Sequence, residues 1–127
     1  MSNEGGLKES VCELVSVGRI NDAIETLQAI INQNPRHAEA HELLGCIFYR
    51  VGRLKDAVSA FRRAVFLNPD NPDYLYNLAT ALYALGDRLE AGRVVSECLK
   101  RRPDHGDAKR MVERLQAEGY RIALRSP

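Results

Sequence analysis

The chain has 127 residues, 45% of them hydrophobic and 28% charged, with a formal net charge of +1. That apolar content is ordinary for one globular domain and argues against intrinsic disorder. The near-neutral balance excludes a whole-molecule field drawing the chain to nucleic acid or an anionic membrane.

No apolar run approaches the length of a membrane span, and the opening MSNEGGLKES lacks the apolar centre of a secretory leader. Cys12, Cys46 and Cys98 are odd in number and far apart, unlike a disulfide framework or a zinc knuckle. A reducing, cytoplasmic setting is the simplest expectation. Charge is uneven along the chain: residues 98–127 carry eight Lys or Arg against four acids, and residues 1–97 ten against thirteen.

Glycines 18, 52 and 86, alanines 23, 57 and 91, and prolines 35, 69 and 103 each recur at a step of 34 residues. A fixed period of this length means one helical hairpin repeated and stacked, with about three units needed to bury a continuous core. The chain is expected to be a single all-α domain over 1–127. Repeat one spans 4–37. Gly5 and Gly6 lower the propensity of its first helix, and Val11 stands where Gly45 and Ala79 stand later. That helix is expected to fray and to serve as the N-terminal cap; the second, INDAIETLQAIINQ, is well formed.

Repeat two spans 38–71. Its first helix sets Leu44, Ile47, Phe48 and Val51 on one face, and Gly52 follows as a left-handed C-cap. Its second buries Ala57, Val58, Phe61, Ala64 and Val65, and Asn68-Pro69 ends it. Repeat three spans 72–105, with Asn71 as N-cap and Pro72 at the first helical position. Residues 106–118 are amphipathic through Met111, Val112 and Leu115 and are expected to form a C-terminal capping helix ended by Gly119. The tail, 119–127, is short yet carries the apolar Tyr120, Ile122 and Leu124.

Gly45 with Ala57, and Ala79 with Ala91, fall where paired helices should cross, so short side chains there let the axes approach. A larger residue at Ala57 is expected to cost roughly 1–3 kcal/mol through overpacking. Ala64 has a similar role, taken by Cys98 one repeat later.

These residues carry a resemblance to the tetratricopeptide-repeat family. Leu44, Gly45, Phe48, Gly52, Ala57, Phe61, Ala64 and Pro69 resemble a nearly complete repeat signature. Leu78, Ala79, Leu82, Gly86, Ala91 and Pro103 resemble the next, with Val95 and Cys98 as departures. Leu14, Gly18, Ala23, Leu27 and Pro35 resemble the first less completely. His41 stands where the family's first-helix aromatic is typical. The match covers about 4–105.

The resemblance implies a right-handed superhelical solenoid of three antiparallel hairpins, with a concave groove lined by the first helix of each repeat and used to hold peptides or helices. By analogy the groove residues are Lys8, Cys12 and Val15, then Glu39, Glu42, Cys46, Tyr49 and Arg50, then Asp73, Tyr76, Thr80 and Tyr83. Helical spacing independently puts Glu42, Cys46 and Tyr49 on one face, and Tyr76, Thr80 and Tyr83 on another. Tyrosine offers a large contact area with a polar handle, so Tyr49, Tyr76 and Tyr83 are the leading contacts, against the plainer reading that they pack between repeats. Glu39, Glu42 and Asp73 either make an acidic mouth for a basic ligand or simply favour a helix N-terminus through its dipole.

Some family members hold a chaperone's C-terminal carboxylate in a clamp of Lys, Asn, Asn, Lys and Arg. Here Lys8 matches the first place, but Cys12, Leu43, Asp73 and Asn77 do not match the others. Heat-shock co-chaperone function of that kind is therefore set aside. His37 and His41 have the spacing of a helical metal pair without further ligands in place. Cys12 and Cys46 lie in equivalent places of adjacent repeats, about a helix diameter apart and too far for an unstrained disulfide. Cys98 is expected to be buried and inert.

No phosphate-cradling loop, nucleophile–base arrangement or metal motif is present, so no enzyme activity and no cofactor are expected. The basic C-terminal stretch lacks interleaved aromatics and any nucleic-acid motif. The expected function is a non-catalytic, cytoplasmic adaptor or chaperone with a protein or peptide partner. Two alternatives stand beside it: a dedicated bacterial secretion-type chaperone, by resemblance to small three-repeat proteins of type III secretion systems, and a self-assembling scaffold whose tail 119–127 docks into a neighbour's groove.

Overall fold

The computed structural model describes residues 6–122 and 124. Among the described residues the chain is all helix: α1 (Gly6–Ser16), α2 (Ile20–Gln33), α3 (Ala38–Arg50), α4 (Leu54–Leu67), α5 (Pro72–Leu85), α6 (Arg88–Arg101) and α7 (Gly106–Ala117). Each helix packs on its neighbours in the chain, and α1 touches α3 as α3 touches α5. The array is a solenoid of three hairpins with α7 against the last.

The turns explain the period. Gly18, Gly52, Gly86 and Gly119 all have positive φ, between +83° and +99°, a conformation that costs a residue with a β-carbon. The residue after each glycine returns its N–H to a carbonyl five positions earlier: Arg19 to Leu14 at 2.8 Å, Arg53 to Phe48 at 2.8 Å, Asp87 to Leu82 at 3.0 Å, Tyr120 to Leu115 at 2.9 Å. These are Schellman closures, which satisfy carbonyls at the end of the helix and reverse the chain. Between hairpins, Pro35, Pro69 and Pro103 sit second in tight turns closed by His37 N–H to Asn34 O, Asn71 N–H to Asn68 O and His105 N–H to Arg102 O.

Those same three turn residues cap the next helix. Asn71 accepts from the N–H groups of Asp73 and Tyr74 at 2.9 and 3.1 Å, with Pro72 first in α5 as expected. His37 Nδ1 accepts from Ala40 N–H at 3.1 Å, and His105 Nδ1 from Ala108 N–H at 3.1 Å. His37 is thus occupied as a cap, while His41 pairs its Nε2 with the Pro35 carbonyl at 3.0 Å.

The core holds most of the expected faces, including Leu27, Ala57, Phe61, Ala64, Leu82, Ala91, Val95 and Cys98, while Val65, expected with them, is only half-buried at its edge. Gly45 meets Phe61 at the α3–α4 crossing: a β-carbon there would lie 2.6 Å from two ring carbons. Cys98 is fully buried and donates its thiol to the Pro72 carbonyl at 3.2 Å.

Val51 departs from its expected place. Helix α3 ends at Arg50, and Val51 is the C-cap, 45% exposed, because the glycine closure turns the chain outward one residue before the apolar pattern ends. Helix α1 begins at Gly6, one of the two glycines expected to weaken it, and buries Val11 alone; Gly5, the other, lies outside the described residues. In the tail, Tyr120 and Ile122 are half-buried against the chain's own core, and the Ile122 Cδ1 lies 2.7 Å from where a β-carbon on Gly92 would be. Leu124 remains 48% exposed.

Candidate functional site

The first helices α1, α3 and α5 lie side by side, and α7 continues the row one period after α5. Two clefts open along them. The smaller, of about 130 Å³, lies between α1 and α3, lined by Val11, Cys12, Val15, Leu43 and Cys46, with Arg50 at its rim. The larger, of about 270 Å³, lies across α3, α5 and α7. Tyr49, Tyr76, Thr80 and Tyr83 form one wall; Asp107, Arg110, Met111 and Arg114 form the other.

Eight of the groove residues read from the sequence therefore line a cleft: Cys12, Val15, Cys46 and Arg50 in one, Tyr49, Tyr76, Thr80 and Tyr83 in the other. Lys8, Glu39, Glu42 and Asp73 line neither and sit toward the N-terminal ends of α1, α3 and α5. The α7 wall was not anticipated, because residues 106–118 read only as a cap. The 34-residue step itself places it: Asp107, Arg110 and Arg114 follow Asp73, Tyr76 and Thr80 by one period.

Internal bonds fix the walls. The Tyr83 hydroxyl donates to Glu118, whose other oxygen accepts from Arg88 Nη1 at 3.2 Å. The Arg88 guanidinium stacks 4.2 Å over the Tyr83 ring, a cation–π contact that holds the tyrosine in place. The hydrogen bond to Glu118 is the main cause that raises the Tyr83 hydroxyl's pKa. Tyr76 packs against the ring of His105, centroids 5.1 Å apart. Thr80 returns its hydroxyl to the Tyr76 carbonyl at 2.9 Å. Arg110 pairs with Asp107 one turn earlier on α7.

The acids at the N-terminal side are likewise engaged. Glu42 accepts from Asn77 Nδ2 at 3.1 Å, bridging α3 to α5, and from Cys46 Sγ at 3.3 Å. Asp73 accepts from His105 Nε2 at 3.3 Å and faces Arg102 at 3.6 Å. Burial pushes the Cys46 thiol up to about 12, aided by the Glu42 carboxylate, and burial pushes Cys98 up to about 11. Both thiols stay protonated at neutral pH and are poor nucleophiles.

Glu42 gives a signed pH prediction. Burial raises its carboxyl above 4.5, opposed in part by the Cys46 hydrogen bond and by Lys8. The folded protein therefore holds this proton more tightly than the unfolded chain. The favourable contribution is complete below the ordinary carboxylate value and is lost as pH rises through the raised one. Glu42→Gln, isosteric and still able to accept from Asn77, is expected to raise the melting temperature at pH 7. The gain should vanish near pH 4 in thermal scans; an equal gain at both values would rule out carboxylate burial as its cause.

Among the described residues no helix is long and apolar enough to cross a membrane. Two family models described as tetratricopeptide repeat match the sequence, over residues 9–72 and 48–115. No curated protein matches it. Among solved structures, the crystal structure of MamA superposes with a TM-score of 0.80 at 24% identity, covering 89% of this chain and 67% of that one. The first tetratricopeptide domain of Spaghetti (RPAP3), bound to an HSP90 peptide, gives 0.81 at 20% identity over 88% of this chain and 89% of its own. The second such domain of human RPAP3, in complex with an HSP70 peptide, gives 0.79 at 17%, covering 87% and 92%. At these identities the likeness speaks to fold, and it agrees with the repeat models, the 34-residue register and the four Schellman turns: the chain belongs to the tetratricopeptide-repeat family.

Proposed function

We propose that this chain is a non-catalytic protein-interaction module that holds a peptide or helix of a partner protein in the groove of its first helices. The observation that carries the reading is the 270 Å³ cleft in which Tyr49, Tyr76 and Tyr83 face Met111 and Arg114 across three helices. Partly exposed aromatic side chains around a concave, part-apolar opening are what peptide anchors use. The similar RPAP3 domains, solved with chaperone peptides, support groove binding as a mode. The residues here do not reproduce the carboxylate clamp, so heat-shock peptides are not the proposed ligand.

A rigid groove reduces the ordering cost of binding, and an affinity of about micromolar is expected for an extended peptide. The test is affinity capture from native lysate beside a Tyr49→Ala, Tyr76→Ala, Tyr83→Ala variant of unchanged helical content. A captured partner should weaken roughly tenfold or more in the variant. Equal retention by both proteins would move the binding surface off the groove.

A further inference from the structure

We infer that the large cleft takes an acidic peptide: a bulky apolar or aromatic side chain seated among the tyrosines, flanked by carboxylates that reach Arg50 on one side and Arg114 on the other. This rests on the groove-binding reading above and specifies its ligand.

The argument is an accounting of charge. By sequence count the groove looks acidic, with Glu39, Glu42 and Asp73 among its predicted residues. In the structure most of its acids already have partners. Asp73 faces the Arg102 guanidinium at 3.6 Å and accepts a hydrogen bond from His105. Asp107 is held by Arg110, and Glu118 by Tyr83 and Arg88. Glu39, second residue of α3, and Glu42, whose hydrogen bonds come from the uncharged Asn77 and Cys46, are the exceptions. They lie ten and seven residues from Tyr49, about 15 and 10 Å along the helix, beyond the screening length of about 8 Å at physiological salt.

Arg50 and Arg114 are the reverse case. Both are exposed, and neither forms an ion pair among the described residues. Each stands in the last turn of its helix, where a cation complements the dipole. The Schellman closures at Gly52 and Gly119 already satisfy carbonyls at those ends, so the guanidinium N–H groups remain available. Arg114 lines the tyrosine cleft, its guanidinium 5.9 Å from the centre of the Tyr83 ring. Arg50 follows Tyr49 on α3 and borders the small apolar cleft next door. The Tyr49–Tyr76–Tyr83 opening therefore lies between two uncompensated guanidiniums, on α3 and α7. Arg presents its donors as a planar fork that suits carboxylate.

The experiment selects peptides from a random phage-displayed library on the full chain and discards those still bound by the Tyr49→Ala, Tyr76→Ala, Tyr83→Ala variant. The survivors are groove-dependent whatever their charge. They should be rich in Asp and Glu around one large apolar residue. Synthetic copies should weaken as salt rises, and should lose roughly tenfold in affinity for Arg50→Glu, Arg114→Glu, since each exposed pair is worth up to about fivefold. Both arginines are surface residues, and circular dichroism checks that the double variant folds. Groove-dependent peptides that are neutral or basic, or indifferent to the arginine reversal, overturn the acidic ligand while leaving groove binding intact. A selection yielding no groove-dependent peptide overturns both.

Discussion

Gly45→Ala should destabilise the fold by about 2 kcal/mol, against the direction that helix propensity alone gives. In an exposed helix interior, alanine is better than glycine by about 1 kcal/mol. At Gly45 the new β-carbon would lie 2.6 Å from Cδ1 and Cε1 of Phe61 and 3.0 Å from Cγ. The Phe61 ring is 3% exposed, so it has no open space to swing into. The helices must part or the ring must leave its rotamer, and overpacking of this kind typically costs about 1–3 kcal/mol. Because α3 and α4 form the central hairpin, the shift spreads to both neighbours. Gly92 is the internal control: its β-carbon would meet the terminal methyl of Ile122 at 2.7 Å and a Leu115 methyl at an ordinary 3.9 Å. The close contact is with the end of a flexible side chain, which can give, so the propensity gain should survive and Gly92→Ala should be neutral or stabilising by up to about 1 kcal/mol. Urea denaturation of both variants decides the matter. A Gly45→Ala protein as stable as the parent would mean the α3–α4 crossing is looser than its geometry. Phe61→Leu, which shortens the opposing side chain, should recover part of the loss in the Gly45→Ala background, a coupling that a double-mutant cycle measures.

The frame of this fold was legible because glycine and proline act locally. A positive φ and a fixed φ mark their positions whatever surrounds them, so Gly18, Gly52, Gly86 and the three prolines set the hairpin boundaries. Asn71 and Pro72 were legible for the same reason. The histidine caps were not, because capping preference points to Ser, Thr, Asp and Asn. Yet His37, Asn71 and His105 stand one period apart, and that register was the available signal. The α7 wall carries the same signal, Asp107, Arg110 and Arg114 repeating the register of Asp73, Tyr76 and Thr80, but the amphipathic pattern of 106–118 reports only its core face. The charge of the groove was least legible, since it depends on pairings across long separations. Asp73 with Arg102, and Glu118 with Arg88, lie 29 and 30 residues apart, and no local pattern announces them.

His105 joins these threads, and its replacement is the second large effect expected. The side chain is 8% exposed. Its Nδ1 accepts from Ala108 N–H at 3.1 Å, so that nitrogen is unprotonated and Nε2 carries the hydrogen donated to Asp73 at 3.3 Å. The ring also lies against Tyr76, the centre of the large cleft, at 35° between planes. One residue thus starts α7, ties it to α5 and supports a groove tyrosine. His105→Ala removes a cap worth about 1 kcal/mol and an aromatic pair worth about 0.5–1.5 kcal/mol, so a loss of about 2 kcal/mol is expected. His105→Asn copies the cap that Asn71 already provides one repeat earlier, but not the ring. It should recover about half of that loss. If alanine and asparagine prove equally costly in urea denaturation, the cap contributes nothing and packing carries the whole effect. The groove offers a second readout. Without the ring behind Tyr76, α7 loses its register against α5, and a groove-selected peptide should bind both variants more weakly than the parent. It should bind the alanine protein most weakly, because there α7 has lost its start as well as its support.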